Sequence, residues 1–435
     1  MENLLKLAAI ECDRAEVYVH EQTSHSVTIE DGHLKDITST LLQGLSLRVV
    51  RDGFIGMAYT KNMRDPELLV KNALSALRGK VSAPGDFPAA GKTASLKTWD
   101  EQLSQAATDD LASECDRICR FLTSRTEGQI NIMGNIDVTS VRVLNTSGTD
   151  LLQKSTWLEI SPELLFPGGY SAISRAHETV GLEPVPDHML YGLLKMYNCS
   201  KEVATLSSGK YPVIFLPECM YTLMWRLKSA TNGRNIYLGN SPLGDRLGEK
   251  IFAEQMTISD DPLDDRFPGA RSFDDEGTPT QVLPVVQDGV LKHFHYDLTY
   301  GHKLQQASTG HGYRTVMWGG DAVTLTPIPA LQHLTVVPGS QSLEAMIRSI
   351  DKGIIVCGAM GAHSGNIPNG DFSIGVSPGL LIEKGAIAAQ VKDVMVAGNI
   401  YDIFQRVTAI EDQVHPAWGG VYPAILFDDV SIAGQ

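Results

Sequence analysis

AEVYVHEQTSHSVTIEDGHLKDITSTLLQGLSLRVVRDGFIGMAYT, Ala15–Thr60, is the stretch that decides the fold. Apolar and polar residues alternate along it, as they do along a half-buried strand. Two Asp-Gly pairs, Asp31-Gly32 and Asp52-Gly53, interrupt the alternation. Asp-Gly between alternating runs signals a tight hairpin, because both turn residues take positive φ. The stretch therefore predicts an antiparallel meander, with a helix over residues 3–13 before it.

Working outward, residues 66–79 return to helical spacing, 80–97 are a Pro, Gly, Ala and Ser-rich loop, and 99–125 are helical again. Strands resume at QINIMGNIDVTSVRVLNTSGTDLLQKSTWLEI (129–160), turning at Ser147-Gly148. Helix-and-strand order thus appears twice, which fits a layered α+β domain over 1–205. YPVIFLP (211–217) is a continuous apolar run, as a fully buried strand would be. ECMYTLMWRLKSATNGR follows with helical spacing and a stop at Gly233. Beyond it lie short strands with turns at Asp288-Gly289, Lys384-Gly385 and the glycine-dense 353–375, interrupted by one helix near 341–350. Residues 206–435 therefore read as a β-rich domain with a curved sheet or partial barrel.

The 435 residues, 43% hydrophobic and 20% charged, have an ordinary globular composition with room for two or three cores. The net charge of −15 argues against direct nucleic-acid binding, which rests on Lys and Arg neutralising phosphates. The first residues lack the apolar segment of a secretory signal, and no apolar run of ~18 residues is present, so a cytoplasmic protein without a membrane span is expected. Six scattered cysteines fit a reducing compartment. Cys115 and Cys119, four apart on a predicted helix, read as packed thiols, with a metal or redox pair as the alternative.

HFHYDLTYGHKLQQASTGHG (293–312) holds four of the twelve histidines. VLKHFHYDLTY reads as a strand, which would put His293 and His295 on one face. His302 and His311 fall in the loop or short helix that follows. These four, with His415, are candidate metal ligands, the alternative being ordinary hydrogen-bonding histidines. The sequence lacks HExxH, a P-loop lysine and G-x-G-x-x-G, so none of those chemistries is indicated. MGAHSGN (360–366) sets His beside Ser but does not define a triad. FDDEGTPTQ (273–281) places Asp274, Asp275 and Glu276 before Gly277, either as a loop lining a chamber or interface or as a turn capped by its own carboxylates.

Taken in order, the hairpin stretch, VLNTSGTDLLQ, FDDEGTPTQ, VQDGVLKHFHYDLTYGHKL with STGHGYR, VKDVMVAGNIYDIF and the terminal DDVSIAGQ resemble the TldD/PmbA family. Its members were named as modulators of DNA gyrase and are regarded as metalloproteases. The resemblance implies a helix after YPVIFLP on which catalytic members carry His-Glu-x-x-x-His: two zinc ligands and a general base. A Cys near the C-terminus supplies their third ligand. Here Pro217 and Thr222 stand at the histidine positions, Glu218 is retained as the motif glutamate, and VHPAWGGVYP (414–423) has no Cys. The resemblance is thus to the PmbA/TldE branch. It implies a non-catalytic subunit that shapes a chamber for extended or unfolded peptides and holds no cofactor itself. Zinc is then expected in a TldD-like partner, with a homodimer as the other assembly. The alternatives are a metallopeptidase with displaced ligands and a stand-alone peptide-binding or protein-binding module.

Overall fold

The computed structural model describes residues 1–62, 64–316 and 319–434, so Gln435, the last residue of the terminal motif, lies outside them. The first half contains α1 (Glu2–Ala9), β1 (Arg14–Glu30), β2 (His33–Arg51), β3 (Phe54–Thr60), α2 (Pro66–Ala76), β4 (Val81–Ser82), α3 (Glu101–Ser104), α4 (Thr108–Thr123), β5 (Gln129–Asn145), β6 (Asp150–Leu165), β7 (Ala172–Ser174), β8 (His177–Thr179) and α5 (Asp187–Asn198). Its eight strands form one antiparallel sheet in the order β4-β3-β2-β1-β5-β6-β7, with β8 also on β6. The Asp-Gly pairs are the predicted hairpins: φ is 51° and 73° at Asp31 and Gly32, and 54° and 78° at Asp52 and Gly53.

One face of the sheet is covered by helices. Leu4 and Ala8 of α1 and Leu69, Val70 and Ala73 of α2 pack on Val17 and Leu47. Leu111, Ile118 and Leu122 of α4, with Leu190 and Leu194 of α5, cover Ile130, Ile132 and Ile160. Gly134 is required beneath α4, since a Cβ there would stand 2.8 Å from Cys115 Sγ. Cys115 and Cys119 are buried free thiols of this packing, and burial pushes the Cys115 thiol up to about 12.

After β9 (Val203–Ala204), β10 (Gly209–Phe215) enters the second half and leads into α6 (Pro217–Ala230) and α7 (Gly233–Tyr237). β10 lies inside a ten-stranded sheet that curls into half a barrel, parallel to Lys352–Val356 and antiparallel to Ile425–Ala433. Val213, Ile214 and Phe215 are fully buried. Val213 and Phe215 point into the core that α6 shares with a second, six-stranded sheet, whereas Ile214 joins the core under α4 and α5. Both faces are covered, which is why the run is apolar without alternation. The two halves therefore share a core.

Three expectations are corrected. VLKHFHYDLTY is not a strand throughout: the strand ends at Val290–Leu291, only an isolated bridge from His295 to Asn232 follows, and Asp297 caps α8 (Leu298–Leu304) by accepting from Tyr300 N–H at 2.7 Å. His293 and His295 consequently do not share a strand face. The helix expected over 99–125 is two helices, because Asp100 accepts from Leu103 N–H and Asp110 from Ala107 N–H, capping each separately. α5, whose Leu190, Leu193, Leu194 and Tyr197 are buried, falls where no element was expected.

Candidate functional site: an acidic cleft between the two halves

FDDEGTPTQ forms the joint between the halves. Asp274 accepts from the N–H groups of Glu276, Thr278 and Gly312 at 2.9–3.0 Å. Asp275 accepts from Arg314 N–H and pairs with Arg271, both at 2.8 Å. Glu276 crosses to the first half, accepting from Arg48 at 3.1 Å with one oxygen and from Leu298 N–H at 2.8 Å with the other. Arg48 also holds Glu16 through two hydrogen bonds of 2.8 and 2.7 Å. Asp274, Asp275, Glu276, Arg48, Glu16 and Arg314 are buried and Arg271 is half-buried, and a buried ion pair needs such hydrogen bonding to stand. Burial works against the Asp275 charge, but Arg271 and Arg314 together outweigh it and hold the carboxyl below its ordinary value. Burial and then Glu276 raise Asp274 well above its ordinary value.

The glycines follow from this packing. Gly277 has φ +78°, and a Cβ on Gly312 would lie 2.3 Å from Glu276 Oε2. His311, between two glycines, is buried, with Nε2 3.2 Å from Asp260 and Nδ1 2.9 Å from the Thr309 carbonyl.

Beside the joint lies a cleft of about 750 Å³, floored by the uncovered face of the eight-stranded sheet and roofed by the second half. Alternation places Asp137 of β5 and Glu159 and Glu163 of β6 on that face, with Glu178 of β8 alongside. Glu218, Asp261, Asp264 and Asp275 line it from the opposite side, against the cations Arg271 and Arg314. Glu159 and Glu178 are direct cross-strand partners. Burial and the Glu159 charge push Glu178 up to about 7, and burial also raises Glu159 and Glu163.

Glu218 sits in the first turn of α6, with Oε1 2.9 Å from Arg175 Nε. Its Oε2 is buried with no hydrogen-bond partner among the described residues. Pro217 and Thr222 are buried. The Thr222 hydroxyl donates to the Cys219 carbonyl at 2.7 Å, and burial keeps the Cys219 thiol well above its ordinary value, hence protonated. Pro217 has no side-chain donor atom. These residues do not fit a zinc ion.

The histidine candidates separate. His293 is exposed and contacts the Pro284 carbonyl through Nδ1 at 2.8 Å. His302 lies exposed on α8. His415 stands 3.6 Å from Glu411. Only His295 and His311 come together, with ring centroids 6.2 Å apart. Burial holds His295 neutral, its titration lowered to about 3. Among the described residues no three His, Cys, Asp or Glu side chains converge as a metal-holding group. Sequence reasoning passed over Asp260 and His333, which complete the His311 cluster. It also passed over Arg175 and the cleft carboxylates. The alternation in β6 was visible, but which face stays uncovered depends on where α4 and α5 pack.

The profile of the PmbA/TldA metallopeptidase C-terminal domain matches residues 208–434, and that of domain 1 matches 15–77. The chain belongs to the PmbA/TldD metalloprotease family. A protein of Methanothermobacter thermautotrophicus named metalloprotease is 26% identical over 414 residues, 91% of this chain and 87% of its own length. The metalloprotease PmbA homolog of Haemophilus influenzae is 30% identical over 245 residues, 55% of this chain and 50% of its length. The crystal structure of TldE from Thermococcus kodakarensis matches with a TM-score of 0.91 over all of both chains at 22% identity. A Thermotoga maritima protein titled a modulator of a DNA gyrase matches at 0.87 over 99% of both, also at 22%. Such identities show a common fold.

Proposed function

We propose that this chain is a non-catalytic, peptide-holding subunit of a TldD/PmbA-type metalloprotease, of the PmbA/TldE branch. It works in the cytoplasm with a zinc-bearing TldD-like subunit or with a second copy of itself. One observation carries the reading: at the family's zinc helix the three key positions are Pro217, Glu218 and Thr222, and the glutamate is paired with Arg175. A carboxylate held by a guanidinium, with no metal-bound water to deprotonate, is a poor general base. The cleft supports a binding role. Its size suits an extended chain, and its carboxylates favour a peptide carrying basic side chains or a free amine. Among the described residues no helix is long and apolar enough to cross a membrane.

Anisotropy of a fluorescein-labelled, lysine-containing unfolded peptide tests this, with mass spectrometry of the same sample. The reading expects binding, an intact peptide, and indifference to a chelator. Cleavage that a chelator abolishes would instead establish a peptidase with displaced ligands.

A further inference from the structure

A second pocket of about 490 Å³ adjoins the acidic cleft, and its character is the opposite. None of its lining residues is Asp or Glu, although the chain carries fifteen more acidic than basic residues, 51 against 36. Lys228 and Arg234 supply positive charge, and Tyr221, Trp225 and Trp418 supply aromatic walls. Tyr221 and Trp418 meet edge to face at 4.9 Å. Lys228 Nζ donates to the Gly419 carbonyl at 2.7 Å. Among the described residues it makes no ion pair; burial lowers its pKa to about 8, and the Asp260 carboxylate that opposes this shift is already held by His311. An ammonium in partial burial with only a carbonyl for a partner is poised to accept an anionic group. His295 also lines the pocket and is neutral, so the positive charge there comes from Lys228 and Arg234.

Thr315, Gln332, Trp418 and Gly419 line both this pocket and the acidic cleft, so one opens into the other. We propose that the pocket receives the C-terminal residue of a peptide lying in the cleft, its carboxylate on Lys228 Nζ and its side chain against Tyr221, Trp225 and Trp418. The inference rests on the peptide-holding reading and adds a direction to it. Basic side chains and the amino end lie among the carboxylates, and the carboxyl end lies at the basic pocket. Opposed fields at the two ends of one groove orient a zwitterionic chain.

The test is anisotropy of an N-terminally labelled decapeptide ending in Phe, as free acid and as C-terminal amide, on the full chain. The free acid is expected to bind the wild type at least about tenfold more tightly than the amide, as loss of a charge-assisted hydrogen bond requires. Lys228→Met is expected to bind acid and amide alike, and Trp418→Ala to weaken both. Equal binding of acid and amide by the wild type overturns the pocket assignment while leaving the peptide-holding reading intact. Binding of neither overturns both.

Discussion

Glu159 on β6 and Glu178 on β8 stand directly opposite each other, two carboxylates paired across adjacent strands on the floor of the cleft. Like charges so placed are destabilising, and together with burial they push Glu178 up to about 7. The native state therefore holds a proton that the unfolded chain releases near pH 4.5, and stability falls as pH rises from there through about 7. Glu178→Gln removes this cost. Urea denaturation is expected to show the variant more stable than wild type by on the order of 2 kcal/mol at pH 8 and nearly unchanged at pH 4. A pH-independent difference would contradict the pairing.

The Arg48 guanidinium joins Glu16 to Glu276 and so ties the first sheet to the second half. Arg48→Met leaves buried Glu276 without its cation and buried Glu16 with only Arg314, 3.5 Å away. The expected loss is about 3–5 kcal/mol in denaturant unfolding. An exposed surface pair such as Lys250–Glu254 should cost under about 1 kcal/mol when cut.

Asp260 binds His311 at 3.2 Å and accepts from His333 N–H at 2.8 Å. Burial opposes its charge, but the His311 and His333 contacts hold the carboxyl well below its ordinary value. Its contribution is therefore present above about pH 4 and is lost as pH falls below that. Asp260→Asn should destabilise by about 1–3 kcal/mol at pH 7 and by less at pH 3, read by chemical denaturation.

Returning histidines to the family's helix should not make a zinc enzyme. In the Pro217→His/Thr222→His double variant Arg175 still holds Glu218, and residues 414–423 still lack a thiol. Competition with a chromogenic chelator is expected to show no tight zinc binding, and peptide hydrolysis should stay at background. Tight stoichiometric zinc in this variant would mean that a third ligand had been overlooked.

The architecture was legible where local chemistry dictates it. Asp31-Gly32 and Asp52-Gly53 specify their own turns, and Val213–Phe215 announce a strand covered on both faces. The site was less so. The three acids of FDDEGTPTQ suggested a loop or a turn, but their partners Arg48, Leu298, Gly312 and Arg314 are distant in sequence and meet them only on folding. The histidine cluster misled because an Asp at 297 starts a helix where alternation suggested a strand. The cleft carboxylates Glu159, Glu163 and Glu178 look like ordinary outward-facing strand residues until the second half roofs them over.

Elemental analysis of the untagged chain, purified without chelators, tests the central claim most directly. A non-catalytic subunit predicts less than about a tenth of an equivalent of zinc per chain, because Pro217, Thr222 and an Arg-paired Glu218 supply no ligand set. Close to one equivalent, retained through dialysis, would contradict it and make this chain a metallopeptidase in its own right.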